Sequence, residues 1–208
     1  VVSVNHRLNA LGYLHLAAYG EKYANAGNAG MLDLVLALEW VRDNVANFGG
    51  DPGNVTIFGQ SGGGAKVSTL MAMPAAKGLF HRASVQSASN LRVGSAEMGA
   101  KVAAATLEGL GLSAARIDEL QSVPYEKLLG AATAAMRKLQ PGEGPGVRRP
   151  ANGDRMGFVP VVDGRIVPVH PFDPVAPALL AHVPLLVGCC FNENGHSTNR
   201  PELEASTE

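Results

Sequence analysis

Residues 55–69 read VTIFGQSGGGAKVST, a strand-like run followed by glycines around one serine and then a helix-compatible run. A joint of this kind can do chemistry in two ways, as a phosphate cradle or as a nucleophile held on a sharp turn. A plain connecting loop is the third reading. A phosphate loop of the form G-x-x-x-x-G-K-[ST] needs its lysine and hydroxyl directly after the second glycine. Gly59 and Gly64 have the right separation, but Ala65 stands at the lysine position and Lys66 is followed by Val67. A slip of one residue turns a helical side chain by about 100°, which takes Lys66 off the cradle.

Gly59-Gln60-Ser61-Gly62-Gly63 fits G-x-S-x-G without a slip. The pattern has a mechanical reason. The serine must sit on a strained turn that lifts its hydroxyl clear of a sheet, and side chains two residues to either side would collide there. That gives glycine at 59 and 63. The Gly62 amide would then lie at a helix N-terminus, where an open N–H and the helix dipole favour a developing oxyanion.

The elements around the joint must supply a strand before it and a helix after it. VVSVN (1–5) is an apolar, β-branched run of the kind buried strands show. HRLNALGYL leads out of it, and AYGEKYANAGNAG (18–30) reads as a small-residue loop. From Met31 a helix is expected, its wide apolar face suited to packing on a sheet. FGGDPGN (48–54) ends it, with Gly49 suited to the left-handed position after a helix. NVTIF (54–58), RASVQSAS (82–89) and VPLLVGCC (183–190) read as strands. Strands alternating with helices predict a parallel sheet with helices on its faces.

Residues 94–140 differ, reading as three successive helices without an intervening strand, the pattern of an inserted helical region. QPGEGPGVRRPANGDRMG (140–157) is a Gly/Pro/Arg loop, and Asp163-Gly164 marks a hairpin-like turn.

Composition bounds the possibilities. The 208 residues, 46% hydrophobic and 17% charged, suffice for a domain with a core. A formal net charge of −1 provides no basic field for nucleic acid. The longest apolar runs fall short of a membrane span, so the chain reads as soluble, with cytoplasmic and secreted locations both open. Cys189 and Cys190 are neighbours in an apolar run, without metal-ligand spacing, and are expected to be buried and reduced. No motif implies a metal or other cofactor.

The block GNAGMLDLVLALEWVRDNVANFGGDPGNVTIFGQSGGG resembles the signature region of the type B carboxylesterases, the family that includes the cholinesterases. The likeness extends to NHRLNALGYL, LFHRASVQSAS, FVPVVDGRIVPVHPF and VPLLVGCCFNENG, and is weakest over 94–155. It implies an α/β-hydrolase fold spanning 1–208: a mostly parallel sheet with helices on both faces, incomplete at both ends, with 94–140 as a helical insertion. It implies a serine hydrolase cleaving carboxylic esters, with a small-molecule ester as its partner. Carried over by position, Ser61 matches the nucleophile, Gly62 the oxyanion-hole amide and Glu193 of FNENG the catalytic acid. Gln60, Gly62, Leu34 and Asn194 depart from the usual pattern, and none of these removes a catalytic group.

A serine needs a histidine base, and the base needs a carboxylate to fix its tautomer. In this fold the order is Ser, acid, His. His196, three residues after Glu193, is too close to match the family's base. The resemblance therefore implies that the base, and the Gly-Gly half of the oxyanion hole, belong to sequence outside these residues. The expectation is an internal piece of an esterase that is inactive alone. The alternative is a non-catalytic adhesion protein on the same fold; such relatives tend to lose the serine, which this chain keeps.

Overall fold

The computed structural model describes residues 1–88, 90–139 and 157–190. In chain order the elements are α1 (Asn9–Tyr13), α2 (Ala29–Asn44), β1 (Thr56–Gln60), α3 (Gly62–Leu70), β2 (Arg82–Gln86), β3 (Gly94–Ser95), α4 (Ala96–Leu110), α5 (Tyr125–Leu139), β4 (Val161–Val162) and β5 (Leu185–Gly188). Short 3-10 turns fill much of the remainder, three of them in the loop before α2.

β1, β2 and β5 form a parallel sheet in the order β1-β2-β5. Parallel neighbours need crossovers, and α3 provides the one between β1 and β2. Beneath the sheet lies a core of Met31, Val35, Leu70, Met73, Phe80, Val85 and Val167. A second core joins Leu14 and Leu16 to Val102, Ala103, Leu107, Leu128 and Ala132 of α4 and α5. Phe158 packs against both.

α2 buries Met31, Val35, Leu38 and Val41, one stripe at helical spacing. The apolar face is wider than what is covered: Leu36, Trp40 and Phe48 stay exposed, and the Trp40 and Phe48 rings tilt together with centroids 5.9 Å apart. The helix runs into a 3-10 turn, Val45–Phe48, that Gly49 closes at φ 76°, the left-handed conformation glycine adopts without strain.

Three expectations need correction. Residues 1–5 join no ladder of the described residues, and Val1, Val2 and Val4 are exposed. β-branched composition favours a strand only where a neighbour pairs with it, and none of the described strands does. The middle of the three expected helices, Ala114–Ser122, is 3-10 with a break at Arg116 (φ −114°, ψ 21°). Cys189 and Cys190 are exposed, since among the described residues β5 pairs only with β2, and Leu186, Val187 and Gly188 are exposed with them.

The Asp163-Gly164 turn is present with Gly164 at φ 75°, yet it closes no hairpin. β4 pairs in parallel with β3. Asp163 Oδ1 instead accepts from the amides of Arg165, Ile166 and Val167 at 2.8–3.0 Å. Its Oδ2 accepts from Nδ2 of buried Asn28 at 2.8 Å. Asn28 also exchanges two hydrogen bonds with the Val161 backbone, at 2.9 and 3.0 Å, so this turn is pinned to the loop before α2. No helix among the described residues is long and apolar enough to cross a membrane.

Candidate active site

Ser61 sits between the last residue of β1 and the first of α3, at φ 50° and ψ −116°. A positive φ on a residue with a Cβ is strained and persists only where its surroundings enforce it. Two backbone bonds do so here. The Ser61 amide donates across the sheet to the Gln86 carbonyl at 2.9 Å, and the Ser61 carbonyl accepts from the Ala65 amide in α3 at 3.0 Å. The side chain makes no capping hydrogen bond to the helix and is exposed, so the hydroxyl is presented outward.

The glycines contribute unequally. A Cβ on Gly59 would stand 2.4 Å from the Gly63 carbonyl carbon and 2.8 Å from the Gly64 nitrogen. Strand and helix thus approach too closely for any side chain at 59. Among the described residues a Cβ on Gly63 would meet nothing within 4 Å, so within them the space argument drawn from the pattern holds at 59 and finds no contact at 63. Gly64, which lies outside the G-x-S-x-G pattern, is the second tight position: its Cβ would fall 2.9 Å from both the Ala88 Cβ and the Gly59 carbonyl oxygen. The local turn back to Gly59 and the long-range approach of the segment after β2 create that need together. At Gly62 a Cβ would have ordinary contact with Lys66 Nζ, at 3.8 Å.

With the Ser61 amide spent on β2, the open N–H groups of this turn begin at Gly62, at the positive end of the α3 dipole. Lys66, one turn further on, donates to the Gly62 carbonyl at 3.2 Å, and burial lowers the pKa of its ammonium.

Gln60 at the end of β1 pairs with Gln86, and Gln86 with Gly188 at the end of β5. The strand leading to Ser61 and the strand leading toward Glu193 therefore end level, two strand spacings or roughly 10 Å apart. Glu193 and His196 lie outside the described residues.

None of the histidines described hydrogen-bonds Ser61. His81 Nδ1 accepts from the Val55 amide at 3.1 Å, at the opposite end of the strands from Ser61. His170 Nδ1 accepts from the Val93 amide at 3.3 Å. His6 bonds the neighbouring Arg7 carbonyl at 2.9 Å. His15 is buried against Gly27 and Gly99 with its pKa lowered by desolvation, and with Asp163 and Arg165 lines a separate pocket of about 230 Å³.

A parallel sheet, a strained serine at the carboxyl end of a strand and a helix starting directly behind it are the arrangement of the α/β-hydrolase fold. A model of the Carboxylesterase family matches residues 1–206, and the chain belongs to that family. It is 38% identical to the para-nitrobenzyl esterase of Bacillus subtilis (strain 168) over 193 residues, 93% of this chain and 37% of that protein. With the human cocaine esterase it shares 37% identity over 196 residues, 94% of this chain and 32% of that protein. Among solved structures, the Geobacillus stearothermophilus carboxylesterase EST55 superposes with TM-score 0.72 at 41% identity, covering 89% of this chain and 36% of that one. The chain thus spans about a third of the length of these relatives.

Proposed function

We propose that the full-length protein is a serine hydrolase of carboxylic esters that works through an acyl-enzyme on Ser61. The observation that carries this reading is the strained, exposed Ser61 locked between Gln86 and Ala65, together with relatives named as esterases. The Ser61 hydroxyl attacks the ester carbonyl while a histidine base takes its proton. The Gly62 amide holds part of the oxyanion, a donor whose loss typically costs about 3 kcal/mol of transition-state stabilisation. Glu193, five residues beyond the end of β5, orients the base. The tetrahedral adduct expels the alcohol, water then attacks the acyl-serine, and the acid is released. Gly59 acts indirectly, by letting α3 close onto β1. Residues 94–140 form a helical insertion within the hydrolase domain.

Treating the full-length protein with a fluorophosphonate and mapping the adduct tests the assignment. A single adduct on Ser61 is expected; labelling elsewhere, or none, overturns it. We also infer that the 208 residues expressed alone hydrolyse esters negligibly and self-associate, since Phe58, Leu186 and Val187 leave apolar sheet surface exposed. A monomeric, active product by size-exclusion chromatography and ester assay would contradict this.

A further inference from the structure

One charged group beside the elbow has no part in the mechanism above. Lys66 reaches back along α3 so that its Nζ donates to the Gly62 carbonyl at 3.2 Å and lies 3.8 Å from where a Gly62 Cβ would stand. That Cβ is two covalent bonds from the Gly62 nitrogen, so the ammonium lies within about 6 Å of the amide assigned to the oxyanion. An ammonium carries three N–H donors. One is used on Gly62, and among the described residues no carboxylate pairs with Lys66.

The placement runs against local energetics. A cation in the first turns of a helix opposes the dipole, and half-burial strips water from the charge, which is reflected in its lowered pKa. Nothing else in the described fold uses the charge, while Ser61 beside it is open to solvent. A desolvated ammonium with donors to spare, next to an accessible nucleophile, is suited to an anion that arrives with the substrate.

We propose that Lys66 is a specificity residue that binds the free carboxylate of half-esters, monoesters of dicarboxylic acids, as they dock on Ser61. This rests on the reading of Ser61 as nucleophile, and the test separates the two. The full-length protein, with Lys66→Met, Lys66→Arg and Ser61→Ala variants, is assayed on mono-para-nitrophenyl adipate, which is anionic, and para-nitrophenyl hexanoate, which is neutral.

In Lys66→Met, kcat/KM for the half-ester should fall roughly tenfold further than for the hexanoate, the scale of one ion pair near a protein surface. Lys66→Arg should restore most of the ratio. For the unaltered protein the ratio should drop as ionic strength rises to about 1 M, where screening acts over about 3 Å. Equal losses on both esters in Lys66→Met, or an unchanged ratio, overturn the proposal. Should Lys66→Met not fold, a half-ester preference indifferent to salt in the unaltered protein overturns it equally. Ser61→Ala retaining turnover of either ester would instead sink the nucleophile assignment. An inactive Ser61→Ala beside a Lys66→Met without discrimination sinks the Lys66 role alone.

Discussion

The sheet that carries Ser61 and the helical region after β3 solve burial differently. In the helical region α4 and α5 meet through small residues, with Ala103 and Ala132 both 0% exposed. Lys138 pairs with Glu108 across the rim at 2.9 Å. Ser95 caps α4 by accepting from the Met98 amide, and Gly111 closes it at φ 68°. In the sheet, Phe58 is 58% and Leu186 70% exposed. A parallel sheet is normally covered on both faces, and among the described residues the sheet bearing the candidate nucleophile leaves Phe58 and Leu186 uncovered. The sheet buries Ala83 and Val85 in the core beneath it and fixes Ser61 by backbone contacts at one joint, while the helical region is held by side chains spread along two helices.

That contrast can be broken by substitution. Gly59→Ala forces a backbone shift at the elbow, because the new methyl would lie 2.4 Å from the Gly63 carbonyl carbon. It should cost about 3 kcal/mol or more in denaturant unfolding of the full-length protein and abolish Ser61 labelling. Gly63→Ala, two residues beyond Ser61, meets nothing within 4 Å among the described residues and should stay within about 1 kcal/mol of the unaltered protein in the same unfolding measurement. Equal losses at the two positions would show that the joint is not built as described.

In the helical region, Ala132→Leu overpacks the α4–α5 contact and should cost about 1–3 kcal/mol, read as a shift in the unfolding midpoint. Labelling of Ser61 by the fluorophosphonate should persist below that midpoint. Loss of labelling in the folded variant would mean the two regions are coupled more tightly than separate cores allow.

The smallest expected effect is electrostatic. Arg7 holds the Asp33 carboxyl below its ordinary pKa, chiefly through the bonds from its guanidinium, the shortest at 2.6 Å. A depressed carboxylate stabilises the fold above its unfolded-state value near pH 4, and that contribution is lost as pH falls through the lower folded value. The pair is partly exposed, so Asp33→Asn should remove about 1 kcal/mol or less at pH 7 and nothing well below the folded value. Chemical denaturation at the two pH values checks the difference.

What was legible in the sequence follows from where each signal originates. The strand–serine–helix order, the Gly49 stop and the parallel sheet were readable because they rest on local composition and spacing. Residues 1–5 and Cys189–Cys190 misled because pairing and burial depend on neighbours that a residue's own type does not specify. The steric need at Gly64 is not in the G-x-S-x-G pattern for a related reason, since half of it is a contact with Ala88, beyond the end of β2. Gly63 was assigned a steric duty by the five-residue pattern that the actual approach of α3 to β1 places on Gly59.

The Trp40–Phe48 contact has a practical consequence for spectroscopy of these 208 residues by themselves. Trp40 is the sole tryptophan of these 208 residues, and it sits half-exposed near the end of α2 against an exposed phenylalanine. Its emission therefore reports the solvent side of one helix and is blind to whether α4 and α5 remain docked. Fluorescence and far-ultraviolet circular dichroism would then trace different melting curves from the same sample, and reading either one alone would mistake the loosening of one region for the unfolding of the whole.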